Sequence, residues 1–343
     1  MTLFLSHIIF SHYFFNKNII FNTTKNLQPN NNTSFERIFL CTLYNNVAEM
    51  AYIHFWRLYD YVFRFIIVTS NITYSGIPKN ITFKSFQQNI QPFMNKIDIV
   101  FFDNICNRKE YPNSTLIWCI ESSQRDYAKT FIEEKYNPTD KDLLIVVDID
   151  EILTKEGIEY IIKYPPIDYY FIKGSYYFPY YYHRFEDFNR SLIVRYHKNM
   201  KTLTEYRAMK RKNNKIIQFK FNPKKPLITH CSFCFKNIEE YKNKLKSFSH
   251  QNLNKPPYNT NNWIFKTHYC RKRLGSKMLF GYEEPYEGWK HLIPDDERLK
   301  YLIDPSFMYS INETTFNEKD LETMCKIKYN RTSFEFSGRN KSL

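Results

Sequence analysis

The sequence predicts an α/β fold with a mostly parallel sheet, and two observations support this prediction. Residues 143–147 read Leu-Leu-Ile-Val-Val, a β-branched apolar run typical of a strand that is buried on both faces. Candidate strands and helices also alternate along the first half of the chain, which indicates βαβ units. With 343 residues and 43% hydrophobic content, the chain is long enough to bury a substantial core.

The individual elements follow from the spacing of apolar residues and from turn signals. Strands are predicted at residues 37–44, 65–69, 97–102 and 143–147. Helices are predicted at residues 47–61, 121–136, 238–248 and 295–302, with a further helix beginning near Lys155. Tyr-Ser-Gly-Ile-Pro at residues 74–78 predicts a turn. After Asp168 the sequence is rich in Tyr and Phe, which predicts a C-terminal elaboration of one α/β domain.

The first 34 residues differ from the rest of the chain. Residues 2–15 are mostly apolar but contain His7, Ser11 and His12, whereas a membrane span needs about 20 predominantly apolar residues. We therefore expect a marginal signal anchor followed by a disordered stem. The predicted organisation is anchor and stem at 1–34, a folded domain at 35–310 and a tail at 311–343. A type II membrane protein of the Golgi or ER is the expected location, and a cytoplasmic location stays an alternative.

The acidic residues that follow the 143–147 run carry the strongest chemical signal. Asp148, Asp150 and Glu151 come where this strand ends, and open α/β sheets bind ligands at the carboxyl ends of their strands. Two carboxylates at i and i+2 are able to hold one hard divalent cation, Mn²⁺ or Mg²⁺, against a diphosphate. The alternative is a solvated acidic turn. The sequence contains no glycine-rich phosphate loop, which argues against ATP or NAD chemistry.

Net charge and cysteine content exclude fewer functions than the acidic motif does. The net charge of +14 comes from scattered lysines, so we favour solvated faces over a nucleic-acid surface, and a diphosphate substrate also suits this charge. The seven cysteines do not fix a redox compartment. Cys231 and Cys234, beside His230 and with His268 and Cys270 further on, suggest a zinc site only weakly, and packing or disulfide roles are preferred. The aromatic run at 176–183 is interpreted as packing or as the lining of a sugar-binding cleft.

An ordered set of segments resembles glycosyltransferase family 17, the family of the β-1,4-mannosyl-glycoprotein N-acetylglucosaminyltransferase. The segments are Ile-Ile-Val-Thr-Ser-Asn-Ile-Thr-Tyr-Ser-Gly at 66–76, Gln-Arg-Asp at 124–126, Asp-Ile-Asp-Glu-Ile at 148–152, His-Cys-Ser-Phe-Cys-Phe at 230–235 and Ser-Phe-Ser-His at 247–250. The resemblance covers residues 37 to about 305. It implies a GT-A-type Rossmann-like sheet flanked by helices and an inverting transfer of GlcNAc from UDP-GlcNAc to an N-glycan acceptor, with no nucleic-acid partner.

The same resemblance, combined with the chemistry of sugar transfer, gives a set of candidate site residues. Asp148 and Asp150 are the expected metal ligands. A further carboxylate must deprotonate the acceptor hydroxyl, and the candidates are Glu186, Asp187, Glu283 and Glu284. The candidate substrate-binding residues are Gln124, Arg125, Asp126, His230 and His250.

Two other functions stay open from the sequence. A haloacid-dehalogenase-like phosphohydrolase would use the first aspartate of the Asp-x-Asp pair as nucleophile, with Asp295 and Asp296 as a later acidic pair. A non-catalytic carbohydrate-binding protein on a transferase fold is the other alternative. It is motivated by the acidic residues that the family tends to carry where this chain has Val47, Thr69 and Asn252.

Overall fold

The computed structural model describes a mixed α/β domain. The described residues are 35–45, 48–79, 86, 88, 90–102, 106, 115–177, 184–209, 226–235, 237–261 and 263–264. For residues 175–177 and 184–190 the description covers the backbone alone. The predicted helix at 295–302, the expected N-terminal anchor and the tail lie outside the described residues.

Eight strands in the described part form one sheet, in the order β3-β2-β1-β4-β7-β6-β8-β5. Six of these strands run in one direction, and β5 and β7 run in the opposite direction, as the pairings require. The strands are β1 Arg37–Leu43, β2 Arg64–Thr69, β3 Ile97–Phe101, β4 Asp142–Asp148, β5 Glu151–Leu153, β6 Tyr169–Tyr177, β7 Arg184–Arg195 and β8 Ile228–Cys231. The predicted mostly parallel α/β sheet is thus confirmed.

Helices cover both faces of this sheet. They are α1 Ala48–Leu58, α2 Leu116–Tyr136, α3 Lys155–Lys163, α4 Leu203–Met209 and α5 Ile238–Ser247, with short 3₁₀ helices at Gln91–Lys96 and Gln251–Leu253. The predicted strands and the helices of the described part are confirmed, with shifted ends. The largest shift is in α2, which begins at Leu116 rather than at residue 121. Among the described helices, none combines the length and apolar character needed to cross a membrane.

The side chains of β1 divide the core into two layers. Ile38 and Leu40 pack with α1, α3 and α5, whereas Phe39 and Cys41 pack with α2 and α4 on the opposite face. This alternation follows from the two-residue period of a strand. A strand buried on both faces needs apolar residues at every position, which is what β1 and β4 supply.

The amino ends of β1 and β4 are joined by a buried ion pair. Arg37 donates to both carboxylate oxygens of Asp142, at 2.9 Å from Nε and 2.6 Å from Nη2. Asp142 is fully buried and also accepts from the backbone N–H of Thr139 at 2.8 Å. Because Arg37 and Asp142 are register partners, this pair helps to fix the alignment that brings the carboxyl ends of the two strands together.

Candidate functional site

The acidic residues predicted from the sequence lie at the carboxyl edge of the sheet. Asp148 is the last residue of β4 and is the register partner of Leu43 at the end of β1. Asp150 lies in the turn that follows, and Glu151 begins β5. Strand β5 pairs antiparallel with β8, with Glu151 opposite His230, so the turn that carries Asp150 lies beside the end of β8.

Two arginines enclose the carboxylate of Asp148. Arg125 of α2 donates to Oδ1 at 3.1 Å, and Arg207 of α4 donates to Oδ1 at 2.9 Å and to Oδ2 at 3.3 Å. Enclosure by protein raises the pKa of Asp148, but the charges of Arg207 and Arg125 outweigh this effect and hold the pKa below its usual range. The side chain of Asp148 is still 34% exposed, so one side of this anionic group faces solvent.

Glu151 is the buried member of the cluster. Its Oε1 accepts from Arg207 at 3.0 Å, and its Oε2 accepts from the backbone N–H of Asp148 at 3.1 Å and from the hydroxyl of Ser191 at 3.2 Å. Burial raises the pKa of Glu151 even though Arg207 acts in the opposite direction. Glu151 therefore connects the end of β4 to α4 and β7, and its side chain is only 1% exposed.

Asp150 is surrounded by groups from β8 and α5. Its Oδ2 lies 3.2 Å from Nζ of Lys244 and 3.4 Å from the hydroxyl of Ser232, and its Oδ1 lies 3.4 Å from Nε2 of His230. Burial raises the pKa of Asp150, but the opposite effect of Lys244 and His230 is larger, so the pKa lies below its usual range. The backbone N–H of Cys231 donates to the carbonyl of Asp150 at 3.2 Å. The backbone and side chain of Asp150 are thus both held by the 230–232 segment.

Helix α2 supports this cluster through two predicted residues, Arg125 and Asp126, and through Glu121. Arg125 also pairs with Glu121 at 2.7 Å, and Glu121 forms a short hydrogen bond with the hydroxyl of Ser249. The carboxylate of Asp126 accepts from the backbone N–H of Thr204 at 2.7 Å, in the first turn of the helix that carries Arg207. Asp126 therefore positions α4, whereas Arg125 reaches Asp148 directly.

A second polar group lies at the carboxyl ends of β1 and β2. Nζ of Lys79 donates to the carbonyl of Tyr44 at 2.9 Å and to the hydroxyl of Thr69 at 3.0 Å. Burial lowers the pKa of Lys79 to about 7. Beside it, Nε2 of the buried Gln124 donates to the hydroxyl of Ser70 at 3.0 Å.

The other predicted site residues are less closely connected to the cluster. The rings of His250 and Trp118 form an edge-to-face contact with 5.1 Å between their centroids, and the centroid of the Phe248 ring lies 5.6 Å from that of His250. Asp187 lies in β7 opposite Ser175, and Glu186 lies opposite Tyr176, where only the backbone is described. Glu283, Glu284, Asp295 and Asp296 lie outside the described residues. The roles of these residues remain predictions.

Arg207 and Lys244 contact the acidic cluster and were missed by the sequence analysis. Arg207 follows Asp148 by 59 residues and Lys244 follows Asp150 by 94 residues, and neither lies in a recognisable motif. Buried carboxylates require compensating cations, so two basic residues near Asp148 and Asp150 could have been anticipated. Their positions in the sequence could not.

The expected divalent cation fits Asp148 better than Asp150. Asp148 has a solvent-facing carboxylate, and Mg²⁺ is commonly held by one or two carboxylates together with water and substrate phosphates. Both oxygens of Asp148 accept from Arg125 or Arg207, and both oxygens of Asp150 contact Lys244, Ser232 or His230. A cation bridging the two aspartates would therefore have to displace some of these groups. Among the described residues, no group of three or more His, Cys, Asp or Glu side chains converges in a way that would hold a metal.

Cysteines 231 and 234 form a disulfide, as do Cys106 and Cys119. The weak zinc interpretation of the Cys-x-x-Cys segment is therefore incorrect for this pair, because its two sulfurs bind each other. Ser232, between the paired cysteines, is the residue whose hydroxyl contacts Asp150. Cys41 is a buried free thiol in β1.

Fold and site together define an α/β protein with a cluster of charged side chains at the carboxyl edge of its parallel strands. The model of glycosyltransferase family 17 matches residues 6–281. The chain belongs to this family, and its class is therefore that of the glycosyltransferases.

Comparisons with individual proteins add little to the family assignment. A solved structure of the inositol-1-phosphate CTP transferase from T. maritima matches with 8% sequence identity and a TM-score of 0.26, covering 53% of this chain and 76% of that chain. This likeness is too remote to bear on function. No protein with a curated description matches the sequence significantly.

Proposed function

We propose that this glycosyltransferase moves GlcNAc from UDP-GlcNAc to a glycan acceptor, an N-glycan mannose, with inversion at the anomeric carbon. The observation that carries the proposal is the half-open carboxylate of Asp148, held between Arg125 and Arg207 at the carboxyl end of β4. This edge is where open α/β sheets bind nucleotides. Membership of the family supplies the reaction class, a nucleotide-sugar donor and a glycan acceptor.

The described residues contribute mainly to the departure of the nucleotide. As the acceptor oxygen attacks the anomeric carbon, the bond to the diphosphate breaks and negative charge grows on the diphosphate. Arg207 and Arg125 lie beside Asp148 with their geometry fixed by carboxylates, so they need little reorganisation to stabilise that charge. A divalent cation at Asp148 would supply Lewis-acid stabilisation of the same diphosphate.

The acceptor side of the reaction requires a base. Inversion requires the acceptor hydroxyl to lose its proton to a carboxylate while it attacks from the face opposite the nucleotide. Asp187, Glu283 and Glu284 are the proposed candidates. The contacts of Asp150 with His230 and Lys244 would hold the wall of the site in place without taking part in this proton transfer.

A secretory-pathway location, in the Golgi or ER with the N-terminus as anchor, belongs to the same proposal. The two disulfides support an oxidising compartment. An acceptor carried on a glycoprotein would be encountered there.

The proposal is tested by UDP release from UDP-GlcNAc, with and without N-glycan acceptors, in the presence of manganese or EDTA. We expect Asp148→Asn to lower the rate by about 100-fold or more, because the variant loses the charge that organises the two arginines and the metal. Asp140→Asn serves as the control, since Asp140 is exposed in the turn before β4. Folded protein that releases no UDP from any nucleotide sugar would overturn the proposal and favour the non-catalytic carbohydrate-binding alternative. Phosphate release from sugar phosphates would favour the hydrolase.

A further inference from the structure

We propose that Lys79 binds the nucleotide part of the donor directly, donating a hydrogen bond to an oxygen of its pyrimidine base or of its phosphates. This inference rests on the proposed function, since it assumes that a nucleotide sugar is the donor. It extends the binding site from Asp148 across the ends of two further strands.

The ammonium group of Lys79 has a fixed position with one donor remaining. Two of its N–H groups point to the carbonyl of Tyr44 at 2.9 Å and the hydroxyl of Thr69 at 3.0 Å. A lysine ammonium has three donors and no acceptor. Among the described residues no hydrogen-bond acceptor takes the third donor, and the other group beside the ammonium is the ring of Tyr44, with its centroid 6.0 Å from Nζ. The third donor is therefore available for a ligand, and the two existing hydrogen bonds orient it.

Lys79 lies along the same edge of the sheet as Asp148. Leu43 is the register partner of both Asp148 in β4 and Val68 in β2, so the ends of β4, β1 and β2 are consecutive. Neighbouring strands are about 4.8 Å apart, so the end of β2 is roughly 10 Å from the end of β4. A nucleoside diphosphate lying across the strand ends spans a distance of this order, so one ligand is able to reach both positions.

Lys79 differs from the other basic residues of the site because no carboxylate of the described residues pairs with its charge. Arg125, Arg207 and Lys244 each contact at least one carboxylate. Within the described part of the chain, the polar partners of Lys79 are a carbonyl and a hydroxyl, and no carboxylate contacts it. Burial accordingly lowers its pKa to about 7. An oxygen-rich ligand would supply the missing partner and favour the charged form.

Gln124 gives a second indication that this region accepts a polar ligand. It is 1% exposed, and its Oε1 has no hydrogen-bond partner in the described part of the protein, although its Nε2 binds Ser70. Ser70 directly follows Thr69, the residue that Lys79 contacts. Buried polar atoms are normally satisfied by protein, water or ligand. A donor and an unsatisfied acceptor thus approach the same strand end from two elements.

Lys96 provides a matched control for Lys79. Its Nζ likewise makes two hydrogen bonds, in this case to the backbone carbonyls of Tyr59 at 2.7 Å and Val62 at 3.1 Å, and burial also lowers its pKa. Lys96 directly precedes β3 and therefore lies at the amino edge of the sheet. Its replacement removes a similar structural contact far from the carboxyl edge.

The test is calorimetric titration of the full chain with UDP, UMP and uridine, for the wild type, Lys79→Met, Lys79→Arg and Lys96→Met. We expect Lys79→Met to weaken UDP binding by about tenfold or more, the usual effect of losing a hydrogen bond to a charged group. Lys79→Arg should retain part of the affinity, and Lys96→Met should bind as the wild type does. An equal loss for all three ligands would locate the contact on the nucleoside, and a loss that grows with each phosphate would locate it on the diphosphate.

Two results separate this inference from the proposed function. Wild-type affinity in Lys79→Met, or an equal loss in Lys96→Met, would overturn the role of Lys79 while leaving the transferase proposal intact. Failure of the folded wild type to bind any of the ligands would overturn the proposed function itself. If Lys79→Met does not fold, as judged by circular dichroism, Lys79→Gln is titrated instead, because it keeps a donor for Tyr44 without the charge.

Discussion

Arg207 donates to Asp148 at 2.9 Å, although Arg207 lies in α4, which follows β7 in the sequence. The same guanidinium reaches Glu151 at 3.0 Å, so one cation is shared by the last residue of β4 and the first residue of β5. Without Arg207, two carboxylates of one short turn would face each other across the end of a buried strand. This contact therefore places one compensating cation between the two carboxylates.

Replacing Arg207 by methionine is expected to destabilise the protein by about 3 kcal/mol or more, because it leaves the buried Glu151 without its cation. The measurement is chemical denaturation followed by circular dichroism. Lys155→Met, which breaks the exposed pair between Lys155 and Glu159, is the control and should cause a much smaller change. Equal effects of the two substitutions would contradict the central position given to Arg207.

Asp150→Asn is expected to be destabilising because the buried Lys244 loses its carboxylate partner. The double variant Asp150→Asn/Lys244→Met should recover much of the lost stability, since both halves of the pair are removed together. Thermal unfolding of the two single variants and the double variant forms a mutant cycle that measures the coupling. Additive effects would show that Lys244 does not compensate Asp150.

Manganese affinity distinguishes the roles of the two aspartates, because Asp148 has an open side and Asp150 does not. Asp148→Asn should weaken manganese binding in the presence of UDP by about tenfold or more, the range seen when metal sites are perturbed. Asp150→Asn/Lys244→Met should change it little. Electron paramagnetic resonance of free manganese measures this affinity independently of turnover. A large loss in the double variant alone would assign the metal to Asp150.

His54 is expected to make the protein less stable in mild acid. It is fully buried in α1, its two ring nitrogens lack hydrogen-bond partners within the described residues, and burial lowers its pKa to about 3. Because the folded pKa lies below the unfolded value of about 6.5, the stability contribution is complete above pH 6.5. It is lost progressively as the pH falls toward 3, by up to about 4 kcal/mol.

The measurement for His54 is the free energy of unfolding at pH 8 and pH 5, in the wild type and in His54→Leu. The wild type should lose more stability between the two pH values than the variant does, because leucine takes up no proton in the unfolded state. Identical pH dependence in both proteins would show that His54 is solvated or partnered in solution.

The local pattern of apolar residues was enough to predict the parallel strands β1, β2 and β4. These strands are buried on both faces, so nearly every position must carry an apolar residue, and such a continuous apolar run is typical of a strand. The strands that complete the sheet were not separable from the sequence, because β6 and β7 belong to a Tyr/Phe-rich segment without clean alternation. Their order in the sheet depends on long-range pairing, as in the antiparallel insertion of β7 beside β4.

The candidate site divides in the same way. Asp148, Asp150, Arg125 and His230 were identified because they lie in short motifs, and the structure brings them together. Asp126 was predicted to bind substrate, but its described contact is with the backbone of Thr204, a contact that depends on where α4 docks. Arg207 and Lys244 were missed for the same reason, since tertiary packing alone carries them to the carboxylates.

Gly157 is expected to control the position of β8, and with it His230. A Cβ atom at this position would lie 1.9 Å from the carbonyl oxygen of Leu227, a contact that backbone movement alone could relieve. Leu227 also accepts from the backbone N–H of Thr154 at 3.0 Å, so α3 and the start of β8 are tied at this point. Gly157→Ala should therefore destabilise the protein by about 1–3 kcal/mol through overpacking, even though alanine favours helix.

The same displacement should be detectable at the site, because β8 carries His230 to Asp150 three residues beyond the contact with Leu227. We expect Gly157→Ala to reduce transfer activity per folded molecule as well as stability, measured by UDP release beside the melting temperature. Glu159→Ala, at an exposed position of the same helix, should leave both quantities nearly unchanged. Stabilisation by Gly157→Ala would mean that helix propensity outweighs the close contact, and that β8 is free to move without disturbing Asp150.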